Sequence, residues 1–251
     1  MEAVVALIAA GFGALWWQRL RWSRAHRSFL ASLDGDTEIA LHVAQHAARS
    51  RGHETLTSFH LLYGALQVEV LGEAMRAAGG DVDALESKLL SILDERGRES
   101  LILTEDAQRV LSHLYAVATH NERRATPTDL WSSLIRSEAA ALLPDVGIDG
   151  RKVLVSLIHG ATEPDVPATG PDVFIVLRND DHTTQEFVAT ILRDVFGKSE
   201  ADAHAITLEV HTQGHGIVCR SSLAEARPKI AEVRARATRH GFPLWIATEP
   251  T

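Results

Sequence analysis

Between two apolar runs the chain reads Arg178-Asn179-Asp180-Asp181-His182-Thr183-Thr184-Gln185-Glu186. Asn179, Asp180 and Asp181 bring one amide and two carboxylates to a single break in the chain. Asn and Asp are ordinary turn residues, since their side chains bond nearby backbone. A helix follows the break, and a helix N-terminus carries partial positive charge. The two acids spoil such a turn as a general anion trap. What the turn can do is gather acceptors around a cation.

The elements that position these residues are short and well marked. Val173 to Leu177 is an apolar run that reads as a strand. Thr183, with Glu186 three residues on, has capping-box spacing for a helix carrying Phe187, Val188, Ile191, Leu192 and Val195 at helical period. Ser199, with Asp202, opens a second helix with Ala203, Ile206 and Val210 on its buried side. His211 stands at the end of that helix, and Gly214 and Gly216 break it. Ile217 to Arg220 is a short strand. Ser222 and Glu225 form another capping pair, ahead of Ile230, Val233 and Ala237. Pro243 to Ala247 closes as a strand with Leu244 and Ile246 on one face. The order β-α-α-β-α-β gives a small α/β sandwich. Pro228 falls inside the third helix if that helix begins after Ser222, which removes a backbone bond. Either the helix starts nearer Arg227 or it is kinked.

Two phrases, VFIVLRNDDHTTQEFV and LEVHTQGHGIV, resemble the ClpS family, adaptors that deliver proteins with destabilising N-terminal residues to Clp ATPase-proteases. The resemblance covers about Asp172 to Glu249. It implies that Asn179 and Asp180 accept hydrogen bonds from the α-ammonium group of an N-degron, joined by the neutral ring of His211. Charge-assisted bonds of that kind are strong. Asp181 and Thr183 belong to the same motif and are expected to shape the turn or meet the ligand's first backbone groups. The family lines its side-chain pocket with apolar residues. Val188 and Leu244 keep that character, but Gln185 and Thr207 stand where large apolar residues are expected. Burying an amide without a partner is costly, so a wider, more polar or differently selective pocket is implied. The family reaches its ATPase with an acid and a lysine near the start of the third helix. Lys229 matches the lysine, whereas Ala224 replaces the acid with Glu225 adjacent.

Upstream, Asp34 to about Gly160 reads as helices. Ile39, Val43 and Ala47 are expected to share a face with Ala40 and Ala44. Thr57 caps a helix carrying Leu61, Leu62, Ala65 and Leu66. Leu85, Leu89 and Ile92 mark another. Thr104 caps the next, with Glu105 and Asp106 suited to its first turn; Val110, Leu111, Leu114, Val117 and Ala118 form its stripe. The pattern then repeats. Thr57-Ser58-Phe59-His60-Leu61-Leu62 is echoed by Thr126-Pro127-Thr128-Asp129-Leu130-Trp131, and Val82-Asp83 by Ile148-Asp149. An offset of roughly 66 to 69 residues is too long for a solenoid unit and indicates a duplicated helical bundle. HETLTSFHLLYGAL, LILTEDAQRVLSHLYAVA and VLVSLIHG resemble the Clp N-terminal domain over about Thr37 to Gly160. His42 and His46 are four apart on one helix, a spacing that suits a shared metal. Without an intervening glutamate they read as solvent-side histidines.

At the amino terminus, Ala3 to Trp17 is free of charge, and Arg19, Arg21, Arg24 and Arg27 follow at once. A cleaved signal has its positive charge before the apolar core. The order here predicts a single-pass anchor in the inner (cytoplasmic) membrane, with the remaining chain in the cytoplasm; the alternative is a buried or interfacial helix. Net charge is -8, which argues against nucleic-acid binding. A single cysteine, Cys219, excludes an internal disulfide. Cys219 and His211 could in principle pair as nucleophile and base, but a thiol within an apolar strand is more often inert. No phosphate loop, metal motif or cofactor motif is present.

The sequence therefore reads as a non-catalytic, multidomain protein: 1–27, membrane anchor and basic flank; 34–160, all-α duplicated bundle; 161–171, proline-rich tether; 172–251, small α/β domain. The expected partners are N-degron peptides or proteins, a Clp ATPase with its peptidase, and the membrane. An alternative is a regulator whose helical domain competes for ClpS or Clp ATPase docking, with a contact between its own two soluble domains.

Overall fold

The computed structural model describes residues 29–53, 55–95 and 103–251. The chain divides into two compact units, Met1–Val153 and Leu154–Thr251.

The first unit is helical: α1 Gly35–Ser50, α2 Ser58–Leu66, α3 Glu69–Ala77, α4 Val82–Glu95, α5 Glu105–His120 and α6 Pro127–Leu134. Two short 3-10 segments, Glu138–Leu142 and Pro144–Val146, precede α7, Gly150–His159, which crosses the division between the units. Side chains cap these helices where the sequence places Asp, Thr and Ser before an apolar period. Asp34 accepts the Thr37 N–H at 2.8 Å, and the Thr104 hydroxyl accepts the Ala107 N–H at 3.3 Å. Thr57 and Thr126 each open a capping box, with His60 and Asp129 as the reciprocal acceptors.

The duplication is also visible in the backbone. The N–H of Asp34 donates to the Ala125 carbonyl at 2.9 Å, while that of Thr104 donates to the Leu56 carbonyl at 3.2 Å. The N-cap residue of the first helix of each repeat thus donates to the residue that precedes the N-cap of the second helix of the other. Gly64 lets α2 press on α1, since a methyl there would collide with the Ala40 carbonyl. One expected face is corrected. Ala40, Ala44 and Ala47 are buried, but Ile39 is 53% exposed. The tight α1–α2 approach selects small residues and turns the large one outward.

The second unit continues with β1 Val173–Arg178, α8 Gln185–Asp194, α9 Glu200–Gln213, β2 His215–Ser221, α10 Leu223–His240 and β3 Trp245–Pro250. The strands form one sheet in the order β2-β1-β3, with both pairings antiparallel. Ile175 and Leu177 of β1 meet Val188, Ile191, Val210, Ile230 and Ile246 in the main core. On β2 a bulge makes room for Val218, which is buried, between the Ile175–Cys219 and Val176–Ile217 pairs. Period-two alternation puts Trp245 and Ala247 on the other face of β3, where they cluster with Val155.

Two local expectations change. Ser222 does cap α10, but the helix begins at Leu223 and carries Pro228 inside it, so the later start near Arg227 is excluded. Residues 161–171 contain no helix or strand, yet Glu163 is tied down: its carboxylate accepts the Ile246 N–H at 2.9 Å and pairs with Arg234 at 3.3 Å.

The single-pass membrane placement is also corrected. No helix among the described residues is long and apolar enough to cross a membrane. Ala3 to Trp17, on which that placement stood, lies outside the described residues.

Candidate functional site

β1 ends at Arg178, which pairs with His215 on one side and Trp245 on the other. The next residue, Asn179, donates its N–H to the Gly214 carbonyl at 2.8 Å. Gly214 closes α9 in the left-handed region, with φ of 80°, a conformation that glycine adopts without penalty. That bond sets the last turn of α9, which carries His211, next to the start of the acceptor turn. Asn179 is half-buried and His211 is exposed.

Asp180 organises the turn itself. One carboxylate oxygen accepts the N–H groups of His182 at 2.9 Å and Thr183 at 2.6 Å. The other accepts the Thr183 hydroxyl at 2.8 Å. Among the described residues Asp180 forms no ion pair. Its charge is ordered but not neutralised by an ion pair among the described residues. Asp181 is exposed beside it. Thr183 does not cap α8 as its spacing suggests: its N–H and hydroxyl both donate back to Asp180, so it belongs to the turn and the helix starts one residue later. Thr184 takes that role, accepting the Phe187 N–H at 3.2 Å.

The four residues expected around a side-chain pocket separate by environment. Val188 and Leu244 are buried in the same apolar cluster. Thr207 is also buried, and its hydroxyl donates to the Ala203 carbonyl at 2.7 Å. The group that made Thr207 look polar is therefore satisfied within its own helix. Gln185 is exposed as the first residue of α8, so its amide carries no burial cost.

On α10, Glu225 is exposed, with its carboxylate 3.4 Å from the Ser221 hydroxyl. Lys229, one turn on, is half-buried, with Nζ 5.9 Å from the centroid of the Phe196 ring. No group of three or more His, Cys, Asp or Glu among the described residues is arranged to hold a metal. His42 and His46 are exposed, and His42 lies 3.5 Å from Glu38.

Three residues that pattern reading passed over crowd the same end of the sheet. The Arg178 guanidinium lies 3.9 Å from the centroid of the Trp245 ring. The His159 ring packs on Trp245 with centroids 6.4 Å apart. Burial pushes the His159 imidazole below its ordinary value, opposed by the charge of Asp180 and by a bond to the Pro243 backbone. A tryptophan at the first position of a strand that follows Gly-Phe-Pro was the available signal for this cluster.

Comparison with known proteins covers both units. Residues 168–247 match the family of the ATP-dependent Clp protease adaptor protein ClpS, and residues 33–125 match the Clp repeat N-terminal domain. The Clp protease adapter ClpS of Desulfatibacillum aliphaticivorans is 41% identical over 90 residues, which span 36% of this chain and 86% of that protein. The ClpS of Acetivibrio thermocellus is 46% identical over 76 residues, 30% of this chain and 77% of that one. Among solved structures, ClpS2 of Agrobacterium tumefaciens bound to L-phenylalaninamide is 32% identical, covering 32% of this chain and 96% of that one, with a TM-score of 0.31.

Proposed function

The chain belongs to the ClpS family of Clp protease adaptors, and from that premise we propose that its second unit binds proteins by their free amino-terminal residue and presents them to a Clp ATPase-protease. Adaptors of this family are not catalysts, and this chain is not an enzyme. The observation that carries the reading is Asp180. Its carboxylate is fixed by three hydrogen bonds but has no cationic partner among the described residues. A fixed, uncompensated carboxylate is pre-organised for a cation, and an α-ammonium group fits by charge and by its three donors.

In this reading Asn179 supplies a second acceptor and a ring nitrogen of His211 a third, set close by the Asn179–Gly214 bond. Asp181 and Thr183 border the ligand's first peptide group. Val188, Leu244 and the methyl of Thr207 supply the apolar wall, and Gln185 stands at its rim. Bulky N-terminal side chains such as Leu, Phe, Trp and Tyr are the ligands that such a wall favours. Glu225 and Lys229 form the face that meets the ATPase.

The test is a fluorescence anisotropy titration of the full chain with labelled peptides beginning in Leu, Phe, Trp or Tyr. The same peptides acetylated at the amino terminus are the control. Micromolar or tighter binding that acetylation abolishes supports the reading. Equal binding of both forms, or none of either, contradicts it.

A second reading is favoured by the Clp repeat N-terminal domain on the same chain. Here the helical unit competes with a Clp ATPase for ClpS docking. Adding the full chain to a preformed ClpS–ATPase complex would then displace ClpS, and Glu225 or Lys229 variants would leave that displacement unchanged.

A further inference from the structure

The region that matches ClpS begins at residue 168, but the second unit begins at Leu154. The intervening residues are built into the domain. Val155 clusters with Trp245 and Ala247 on the sheet face opposite the main core. His159 follows on the same helix and lies against the Trp245 ring. Trp245 pairs in register with Arg178, whose guanidinium sits over the indole. Arg178 is the residue before Asn179, so this stack grips β1 at the point where it releases the acceptor turn.

Two nitrogens in the stack have unusual surroundings. His159 Nε2 and Trp245 Nε1 are both buried, and neither has a hydrogen-bond partner among the described residues. A protonated imidazole would carry a buried N–H with nothing to receive it, which is costly. The geometry therefore holds His159 neutral. The charged groups around it are Asp180 and Arg178 from β1 and its turn, and Glu163 from the segment that follows α7. Glu163 is in turn paired with Arg234 of α10. Asp180 has no ion-pair partner among the described residues, and it is also the residue assigned to the ligand's ammonium group.

We propose that His159 and Trp245 are positioning residues of the ammonium site: they hold the end of β1 from the outer face of the sheet, and the charge on His159 competes with a cation bound at Asp180. This rests on the ammonium-site reading above. A neutral His159 leaves the full charge of Asp180 to the ligand. An imidazolium there shares it, so peptide binding weakens as His159 is protonated. By reciprocity, a bound ammonium makes His159 harder to protonate.

The experiment is a proton NMR titration of the His159 ring in the full chain, assigned with His159→Gln. Replacing Asp180 by Asn removes a charge that favours the imidazolium, so the His159 midpoint is expected to fall even without peptide. A saturating peptide with a free Leu or Phe terminus lowers the midpoint in the wild-type chain, while its acetylated form does not. An unchanged midpoint in Asp180→Asn overturns the proposal whether or not any peptide binds. Failure of all peptides to bind, with a midpoint that still moves in Asp180→Asn, overturns the ammonium-site reading and leaves the coupling of His159 to Asp180 standing. A second readout separates positioning from general stability. His159→Ala is expected to weaken peptide binding about tenfold at neutral pH, and His159→Phe, which restores a ring against Trp245, recovers most of it. Neither variant should retain the part of the wild-type affinity loss that belongs to His159, which sets in as pH falls below the ordinary histidine range because burial lowers that group. Wild-type affinity in His159→Ala, or an undiminished acid loss in both variants, would sink the proposal.

Discussion

Asp129, in the first turn of a helix in the helical unit, and Asp180, in the turn before a helix in the α/β unit, make closely similar bonds. Each accepts a threonine hydroxyl and a backbone N–H from a residue three positions away: Thr126 for Asp129, at 2.8 Å for both bonds, and Thr183 for Asp180. The difference is the counter-charge. Both guanidinium nitrogens of Arg123 reach Asp129, at 2.7 and 2.9 Å, and Asp129 is 0% exposed. Asp180 is half-buried and has no ion-pair partner among the described residues. The same local bonding thus produces a closed structural joint in one unit and, in the function proposed above, an open cation seat in the other. Burial raises the Asp129 carboxyl, but the bonds from Arg123 and Thr126 outweigh it and hold that group below its ordinary range.

The comparison breaks first at Arg123. Arg123→Ala strands a fully buried carboxylate, and chemical denaturation of the full chain should show about 3 kcal/mol lost from the helical unit. Arg123 is itself partly exposed, which places the effect at the low end of that class. Peptide affinity should not change, since Arg123 takes no part in the ligand site. Asp180→Asn is the mirror image. It keeps an acceptor oxygen for the turn, so the stability cost stays within about 1 kcal/mol. Affinity for a free amino terminus should fall about thirtyfold, read by anisotropy, because a charge-assisted contact becomes a neutral one.

Acid sharpens the same contrast. Asp129 has a lowered native pKa, so its contribution is fully present above the unfolded carboxyl value and is lost as pH falls through the native one. Below about pH 4 thermal melts of the helical unit should therefore lose up to about 1.4 kcal/mol per pH unit from this group. Asp129→Asn should flatten that slope. His159 acts at a higher window. Its native pKa is also lowered, so its share of stability in the α/β unit is present above the ordinary histidine range and declines as pH falls from there. The smallest expected effect is at the pocket rim. Gln185→Met should improve binding of Leu- or Phe-initiated peptides about threefold, since an exposed first-turn residue gains only partial burial against the ligand.

The turn and its helices were legible because local chemistry writes them. Thr57, Thr104, Ser199 and Ser222 all cap the helices that they precede. Thr183 misled because capping-box spacing does not reveal that Asp180, three residues earlier, draws Thr183 into its own turn and moves the helix start one residue on. Ile39 misled because helical period alone does not report how closely α2 approaches at Gly64. Thr207 looked polar in sequence, but its hydroxyl is spent on Ala203. His159 and Glu163 were invisible for a different reason. Their partners, Trp245 and Ile246, lie more than eighty residues away in the chain. No window of periodicity spans such contacts, and Glu163 stands in a proline-rich stretch that reads as a tether.

The most direct measurement is a thermodynamic cycle between Asp180 and the ligand's amino group. A Phe-initiated peptide and its analogue lacking only the α-amino group are titrated calorimetrically into the wild-type chain and into Asp180→Asn. If Asp180 is the ammonium seat, the penalty of the substitution appears with the amino peptide and vanishes with the analogue, a coupling of about 2 kcal/mol. Equal penalties for the two peptides would contradict the account, because Asp180 would then serve the turn alone, as Asp129 serves its own.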